Sequence, residues 1–260
     1  MSNRSLSNVV RAIHEELQVY AVKGKTKIRL GDDSDGGYVV LNDITLKTAP
    51  QLISFGVGND IGFEKGFLLN SETTPEVFIY DIVKPDIILP ETFNFKQCNA
   101  LRLKECTVKK GAVLKMDVEG AEWVTLSLSI FSKHILSFSQ IIVEFHFWHV
   151  EAPKGLTPYF TKMYENHADF MNYLSFSEYL RTLQRLNEHF TLYHIHPNNS
   201  LPAITIGGYS MAPLIECSFI RTDLIKSRKF SNETFPTELD APNKMDRSDY
   251  SNIQPPERLC

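Results

Sequence analysis

Residues 111–123 read GAVLKMDVEGAEW, an apolar run that ends in Asp117 and Glu119 and continues into a segment of helical composition. Three further apolar runs have a similar design: QLISFGVG (51–58), EVFIYDIV (76–83) and SQIIVEFHF (139–147). Each run has the length of a buried strand, and the intervals leave room for crossover helices. The pattern predicts a mostly parallel α/β sheet with helices on both faces, whose strands share one carboxyl edge. Ligands of such sheets bind at that edge.

Two regions flank these runs. Residues 1–45 begin with an amphipathic pattern and continue into KIRLGDDSDGGYVVL, which together predict a helix followed by a hairpin. After the last run, residues 148–174 form an aromatic and polar insertion, which we expect on the substrate side. Ser175 and Glu178 then have the spacing of a capping box at the start of a helix.

The C-terminal part supplies the remaining strands. TLYHIHPNN (191–199) predicts one strand, and APLIECSFIR (212–221) predicts a last strand, antiparallel at the sheet edge. Residues 231–260 are poor in apolar side chains, which predicts a loosely ordered tail. The expected organisation is therefore a single domain over residues 1–230, followed by this tail.

Composition excludes several classes of protein. The chain has 260 residues, 43% of them hydrophobic and 22% charged, which excludes wholesale disorder and fibrous repeats. A formal net charge of −4 offers no broad basic surface, so we expect no nucleic-acid partner. Four scattered cysteines without a CxxC pair indicate neither a zinc ribbon nor a disulfide scaffold. We expect a cytoplasmic protein without membrane insertion, and a homo-oligomer stays open.

FGVGND (55–60) joins the first of the four runs to a predicted helix. Gly56 and Gly58 allow the backbone to approach a ligand, and the helix start presents free N–H groups. The third glycine of a GxGxxG motif is missing, so the loop also fits a plain strand-to-helix turn. Asp81 ends the next run, where an acid accepts hydrogen bonds from the ribose hydroxyls of an adenosine. Dehydrogenases and S-adenosylmethionine (SAM) enzymes share this device.

Acidic side chains and histidines cluster after the other two runs. Asp117 and Glu119 follow one run, where a pair of acids suits a cation, a donor-rich ligand or proton transfer. Glu122 lies one helical turn later and fits either that cluster or a simple preference for a helix start. Glu144 and His146 share one face of the next predicted strand.

A second pair of histidines lies on the strand at 191–199. His194 and His196 share one face of it, and Asn198 follows. We interpret His149 and His194 as structural residues or pocket wall. His196 is a candidate proton acceptor, because an imidazole titrates near neutral pH.

These motifs together resemble a known family. FGVGND, IYDIV, LKMDVEGAEW, IIVEFHFWH and HIHPNN, with the later LIECSFIR, resemble the FkbM-type SAM-dependent methyltransferases over roughly residues 31–221. The hallmark of that family, K-x-D-V/I-E-G-A-E, is similar to residues 115–122 here. The resemblance implies a seven-stranded, Rossmann-like class I methyltransferase fold with an antiparallel last strand, and SAM as the cofactor. It places residues 98–106 beside the adenine, and its implied cofactor-binding residues are Gly56, Gly58, Asp81, Asp117 and Glu119.

The resemblance also implies a reaction. Family members mostly methylate hydroxyl groups, often on sugars, which implies a SAM-dependent O-methyltransferase for a nucleotide-activated sugar or a surface glycan in polysaccharide biosynthesis. Such a transfer needs an in-line geometry and removal of the hydroxyl proton. The candidate catalytic residues are His146, His196 and Asp117, and the candidate acceptor contacts are Glu144, Trp148 and Asn198. The insertion and the tail depart from commoner members, so the acceptor itself is not inherited from the family.

Three alternatives stay open. Asp117 and Glu144, with Asn198, could hold Mg²⁺ in an O-methyltransferase for a non-sugar small molecule. We favour metal-free base catalysis, because the nearby histidines suit a transition metal at least as well as Mg²⁺. An NAD-dependent oxidoreductase would need the missing GxGxxG loop. An inactive SAM-binding module would lack the glycines or the strand-end acids, which are all present.

Overall fold

The computed structural model describes residues 3–147, 175–206 and 208–250. The strands in this part of the chain are β1 (Tyr20–Ala21), β2 (Lys27–Leu30), β3 (Tyr38–Leu41), β4 (Gln51–Phe55), β5 (Glu76–Asp81), β6 (Phe93–Gln97), β7 (Ala112–Met116), β8 (Phe138–His146), β9 (Phe190–Pro197), β10 (Ile204–Ile206), β11 (Tyr209–Met211), β12 (Leu214–Arg221) and β13 (Lys229–Phe230). The helices in the same described residues are α1 (Asn3–Glu16), α2 (Ile44–Lys47), α3 (Gly62–Asn70), α4 (Glu122–Phe131) and α5 (Phe176–Asn187). Three 3₁₀ helices among them lie at Ala100–Glu105, His134–Ser137 and Thr222–Leu224.

Seven strands form the central sheet, in the order β6-β5-β4-β7-β8-β12-β9. β12 runs antiparallel to both of its neighbours, and the other pairings are parallel. This is the expected class I methyltransferase fold with its Rossmann-like core and antiparallel last strand. One detail of the prediction is wrong: β12 lies between β8 and β9, so β9 forms the edge. Because a strand buried on both faces is apolar whether or not it is an edge, its sequence does not reveal its position.

Helices cover both faces of the sheet. Buried side chains of α1, α4 and α5 belong to the larger apolar core, and those of α2 and α3 belong to a second core with other residues of β4, β5 and β7. Outside the central sheet, three antiparallel pairs form: β1 with β13, β2 with β3, and β10 with β11. Within the described ranges, every helix falls short of the length and apolar character that a membrane crossing requires.

Local sequence explains the elements around the site. β7 and β8 are buried along their whole length, in agreement with their continuous apolar runs. α5 begins with a capping box in which Ser175 and Glu178 each bond the other's backbone. Its buried face carries Tyr179, Leu183 and Leu186 at helical spacing.

Residues 231–250 differ from the loosely ordered tail that their composition suggests. They pack against β9 and β12, with Phe235 buried as an apolar anchor. Asp240 lies 2.8 Å from the ring of His194, and the Asn243 amide donates to Glu216 and Asp35. These contacts are polar and nonlocal, so apolar content does not signal them. Residues 251–260 and the insertion 148–174 lie outside the described residues.

Candidate functional site

A cavity of about 820 Å³ opens at the carboxyl ends of β4, β5 and β7. Its volume lies in the range of about 300–1,000 Å³ that is typical of small-molecule and cofactor sites. Its polar lining combines the glycine turn with charged side chains from four segments of the chain: Asp35, Asp60, Glu64, Asp81, Lys115, Asp117 and Glu119. The sequence-derived cofactor residues therefore share one crevice.

The glycine turn after β4 contains two glycines with different constraints. Gly56 and Gly58 both have positive φ, 72° and 52°. A Cβ on Gly56 would lie 1.6 Å from the carbonyl oxygen of Asp117, so no side chain fits between the ends of β4 and β7. A Cβ on Gly58 would meet no described atom within 4 Å. Lys115 fixes the turn from below by donating to the Gly56 carbonyl at 2.6 Å.

Asp81 holds the same turn from the other side. Its Oδ2 accepts hydrogen bonds from the backbone N–H groups of Val57 and Gly58, each at 3.0 Å. Its Oδ1 accepts from the N–H of Val83, also at 3.0 Å. A carboxylate has roughly four acceptor positions, so capacity remains for hydroxyl donors in the cavity.

The far end of the cavity is less polar. Ile82 and Val83 line it after β5, and Cys98 and Ala100 line it from the segment that the family resemblance places beside the adenine. The Tyr80 ring stacks on Phe55 with centroids 4.7 Å apart, and both rings line the cavity as well. An apolar wall of this kind suits the faces of a planar base.

Next to Asp117 and Glu119, which line the cavity, His146 lies buried among carboxylates. Its Nε2 is 3.3 Å from Oε2 of Glu119, and 3.8 Å from Oδ1 of Asp117 and from Oε2 of Glu144. Its Nδ1 is 3.2 Å from Oε1 of Glu122, which also accepts the backbone N–H of His146 at 2.7 Å. Four carboxylates thus surround one buried imidazole.

Electrostatics couple these groups. Burial by itself lowers the pKa of His146, but Glu122 and Glu119 outweigh it and hold that pKa well above its ordinary value. Burial, reinforced by Asp117, raises the pKa of Glu144 well above its ordinary value. Without another cation, the imidazole is therefore the positive charge that balances the cluster.

His196 does not fit the role of proton acceptor. Its Nδ1 is 3.1 Å from Glu216 and its Nε2 is 3.0 Å from Asp249, so both ring nitrogens are held by carboxylates. Burial opposes protonation, but these two hydrogen bonds, together with the negative charges of Glu216 and Asp240, outweigh it and raise the pKa of His196 to about 10. An imidazolium with both N–H groups engaged cannot take a proton, and the prediction of His196 as general base is corrected. It ties the C-terminal segment to β9 and β12.

Of the other residues predicted to contact the acceptor, Glu144 and Asn198 lie among the described residues. Glu144 and Asn198 come together, because the Asn198 amide donates to Oε1 of Glu144 at 2.6 Å. Both are buried, and neither belongs to the lining of the cavity among the described residues. Trp148 and His149 lie outside the described residues.

Sequence reasoning missed several residues of the site. Tyr38 donates its hydroxyl to Oδ2 of Asp117 at 3.0 Å, and Asp35 lines the cavity beside it. Both residues belong to the DGGYV segment (35–39). The glycines and the acid of this segment were the sequence feature that could have marked it as part of the site. Glu216 was missed because it lies in an apolar strand, directly opposite Glu144 in the register of β8 and β12.

Comparisons with known proteins find similar solved structures but no matching family. No family model and no curated protein sequence matches the chain, so the FkbM family in particular is not supported. An rRNA methylase from Streptococcus thermophilus is similar at 10% identity and TM-score 0.34, over 68% of this chain and 89% of that chain. Geranyl diphosphate C-methyltransferase from Streptomyces coelicolor A3(2) was crystallised with Mg²⁺, geranyl diphosphate and S-adenosyl-L-homocysteine. It is similar at 14% identity and TM-score 0.39, over 68% of this chain and 74% of that chain.

A third similar structure is the plantazolicin methyltransferase BamL, in complex with a triazolic desmethylPZN analog and S-adenosylhomocysteine (SAH). It shares 10% identity at TM-score 0.38, over 82% of this chain and 85% of that chain. At these identities and scores the similarities carry no argument about reaction or acceptor.

Proposed function

We propose that the chain is a SAM-dependent O-methyltransferase that acts on a sugar hydroxyl, in a nucleotide-activated sugar or a glycan. The observation that carries the proposal is one cavity in a class I fold that combines the glycine turn, Asp81 and the strand-end acids. The fold alone supports many chemistries, so the argument rests on these side chains.

The cavity fits an adenosyl cofactor in three respects. Its volume, about 820 Å³, suits a ligand of this size. The space that a Cβ would fill at Gly58 is open among the described residues, so a ligand can approach the backbone there. Asp81 and the apolar wall at Ile82 and Val83 suit a ribose and a base, respectively.

We assign Asp117 the role of orienting the acceptor hydroxyl and accepting its proton. When bound, SAM supplies a methyl group on a sulfonium, and transfer breaks the sulfur–methyl bond, forms an oxygen–methyl bond and releases the hydroxyl proton. Asp117 lines the cavity, and Tyr38 fixes its carboxylate by a hydrogen bond to Oδ2. Its Oδ1 is then oriented to accept the hydroxyl proton, a type of assistance worth about 10²–10⁴-fold in rate.

The character of the cavity wall favours a polyol over a polyanion. Asp35, Asp60, Asp117 and Glu119 supply carboxylate acceptors that hydroxyl donors can satisfy. The same charges repel phosphates, so they disfavour RNA, whose binding depends on cationic side chains, and within the proposed acceptor class they favour a glycan over a nucleotide-activated sugar. The choice of a sugar among polyols comes from the motif resemblance described in the sequence analysis and is the part of the proposal that the transfer assay tests.

The test is a transfer assay with SAM that carries a deuterated methyl group. Incubation with a panel of glycosides and sugar nucleotides is expected to place the labelled methyl on a hydroxyl oxygen, detected by mass spectrometry. Asp117→Asn is expected to slow turnover by about 10²–10⁴-fold while SAH affinity is retained. Asp86→Asn, an exposed acid outside the cavity lining, is the matched control. A label found on carbon or on an RNA base would contradict the proposal.

A further inference from the structure

We propose that Asp117, Glu119 and His146 form a binding site for one divalent transition-metal ion at the acceptor end of the cavity. Each of the three residues offers one ligand atom, and these atoms lie within 4.8 Å of one another. The set mixes an imidazole nitrogen with two carboxylate oxygens, which distinguishes it from an ordinary patch of surface acids.

The distances suit a common ion. Nitrogen and oxygen ligands bind such metals at about 2.0–2.2 Å, so two ligands of one ion lie roughly 3–4 Å apart. Nε2 of His146 is 3.3 Å from Glu119 and 3.8 Å from Asp117. An ion placed among these atoms requires small side-chain adjustments and displaces the proton from Nε2 of His146, which is released to solvent.

The ligands are held in place by further residues, as metal ligands usually are. Glu122 is fully buried and lies against Nδ1 of His146, which aims Nε2 at the other two carboxylates. A carboxylate behind a histidine is the arrangement that fixes the tautomer of metal-bound imidazoles. Tyr38 donates to Oδ2 of Asp117 and leaves Oδ1 facing His146.

Charge gives an independent reason for a cation here. Glu144 and Glu216 lie directly opposite each other on β8 and β12, and both are at most 5% exposed. Glu216 is paired with the His196 imidazolium, whereas Asp117, Glu119, Glu122 and Glu144 all lie within 3.8 Å of the one imidazole of His146. A divalent ion on Asp117 and Glu119 would neutralise two carboxylates and lower the repulsion among the rest.

The donor set indicates the class of metal. One imidazole and two carboxylates suit Mn²⁺, Fe²⁺ or Zn²⁺, whereas Mg²⁺ prefers oxygen ligands alone. The set differs from the pair Asp117 and Glu144 considered from the sequence, because Asn198 occupies Oε1 of Glu144. With the ion bound, Asp117 would be one of its ligands, and the ion would take over the activation of the hydroxyl that Asp117 provides alone in the metal-free form.

Three protein ligands leave coordination positions open, as in catalytic metal sites. Asp117 and Glu119 line the cavity, so the open positions face the space for an acceptor. A bound ion there would coordinate the acceptor hydroxyl and increase its acidity. This role rests on the proposed methyl transfer, whereas binding of the ion does not.

The test is a titration of the chelator-treated full chain with Mn²⁺, monitored by the electron paramagnetic resonance of free Mn²⁺ in excess Mg²⁺. We expect one Mn²⁺ per chain. Glu119→Gln is expected to weaken binding at least about tenfold, and Glu122→Gln about 10–100-fold through His146. The matched control is Glu91→Gln, an exposed glutamate outside the site, which is expected to bind as the wild type does.

Two results would overturn the cation site: no stoichiometric Mn²⁺ binding by the wild type, or equal binding by Glu119→Gln and Glu91→Gln. SAH affinity, measured on the same samples, reports folding of the variants and separates the two proposals. Mn²⁺ bound without any SAH affinity would leave the cation site standing and remove the methyltransferase. SAH binding without Mn²⁺ binding would remove the cation site and leave the methyltransferase proposal standing.

Discussion

A Gly56→Ala variant is expected to lose more than about 4 kcal/mol of its free energy of unfolding, at the extreme of single substitutions. The added Cβ would lie 1.6 Å from the carbonyl oxygen of Asp117, which is backbone and cannot rotate away. β4 and β7 must separate to admit it, and both strands lie at the centre of the sheet. SAH affinity is expected to disappear with the turn.

Gly58→Ala is the matched control for this prediction. Gly58 shares a positive φ with Gly56, so alanine costs about 1–2 kcal/mol of left-handed strain at either position. Among the described residues nothing would contact the new Cβ at Gly58. Urea denaturation of both variants isolates the clash, and equal losses at the two glycines would contradict this account of the turn.

Trp123→Ala is expected to cost about 3–5 kcal/mol of unfolding free energy, the usual range for a buried tryptophan. The indole is 1% exposed; it stacks on Phe145 with centroids 4.2 Å apart and packs at a tilt against Tyr179 with centroids 4.4 Å apart. Its Nε1 donates to the carbonyl oxygen of His146 at 2.8 Å. The substitution therefore also frees the end of β8 that carries His146.

Phe131→Ala provides the comparison within the same helix. Phe131 ends α4 and is 82% exposed, so its removal is expected to change stability by at most about 0.5 kcal/mol. Thermal or urea unfolding of both variants is the measurement. A loss at Trp123 no larger than the loss at Phe131 would show that the aromatic cluster does not hold β8 in place.

The sheet could be predicted because its information is local. The runs that form β4, β5, β7 and β8 are predominantly apolar, and a glycine or an acid marks the end of each run. The order of β9 and β12 in the sheet could not be predicted, because pairing between strands that are distant in the chain leaves little trace in the sequence of either strand.

The site was predicted in part for a similar reason. Gly56, Gly58, Asp81 and Asp117 follow parallel strands, and the shared carboxyl edge brings them together. The roles of the histidines depend on partners far away in the chain. His196 is held by Asp249, 53 positions later, so its residue type alone suggested a reactive imidazole.

The most direct test of the central claim is a calorimetric titration of the full chain with SAH, in parallel with Asp81→Ala. The account predicts one SAH per wild-type chain. Asp81→Ala should bind about 100-fold more weakly, because charge-assisted hydrogen bonds at the turn and the ribose are lost, each worth about 1.5–3 kcal/mol. No binding by the wild type, or equal binding by both proteins, would contradict the assignment of the cavity to SAM.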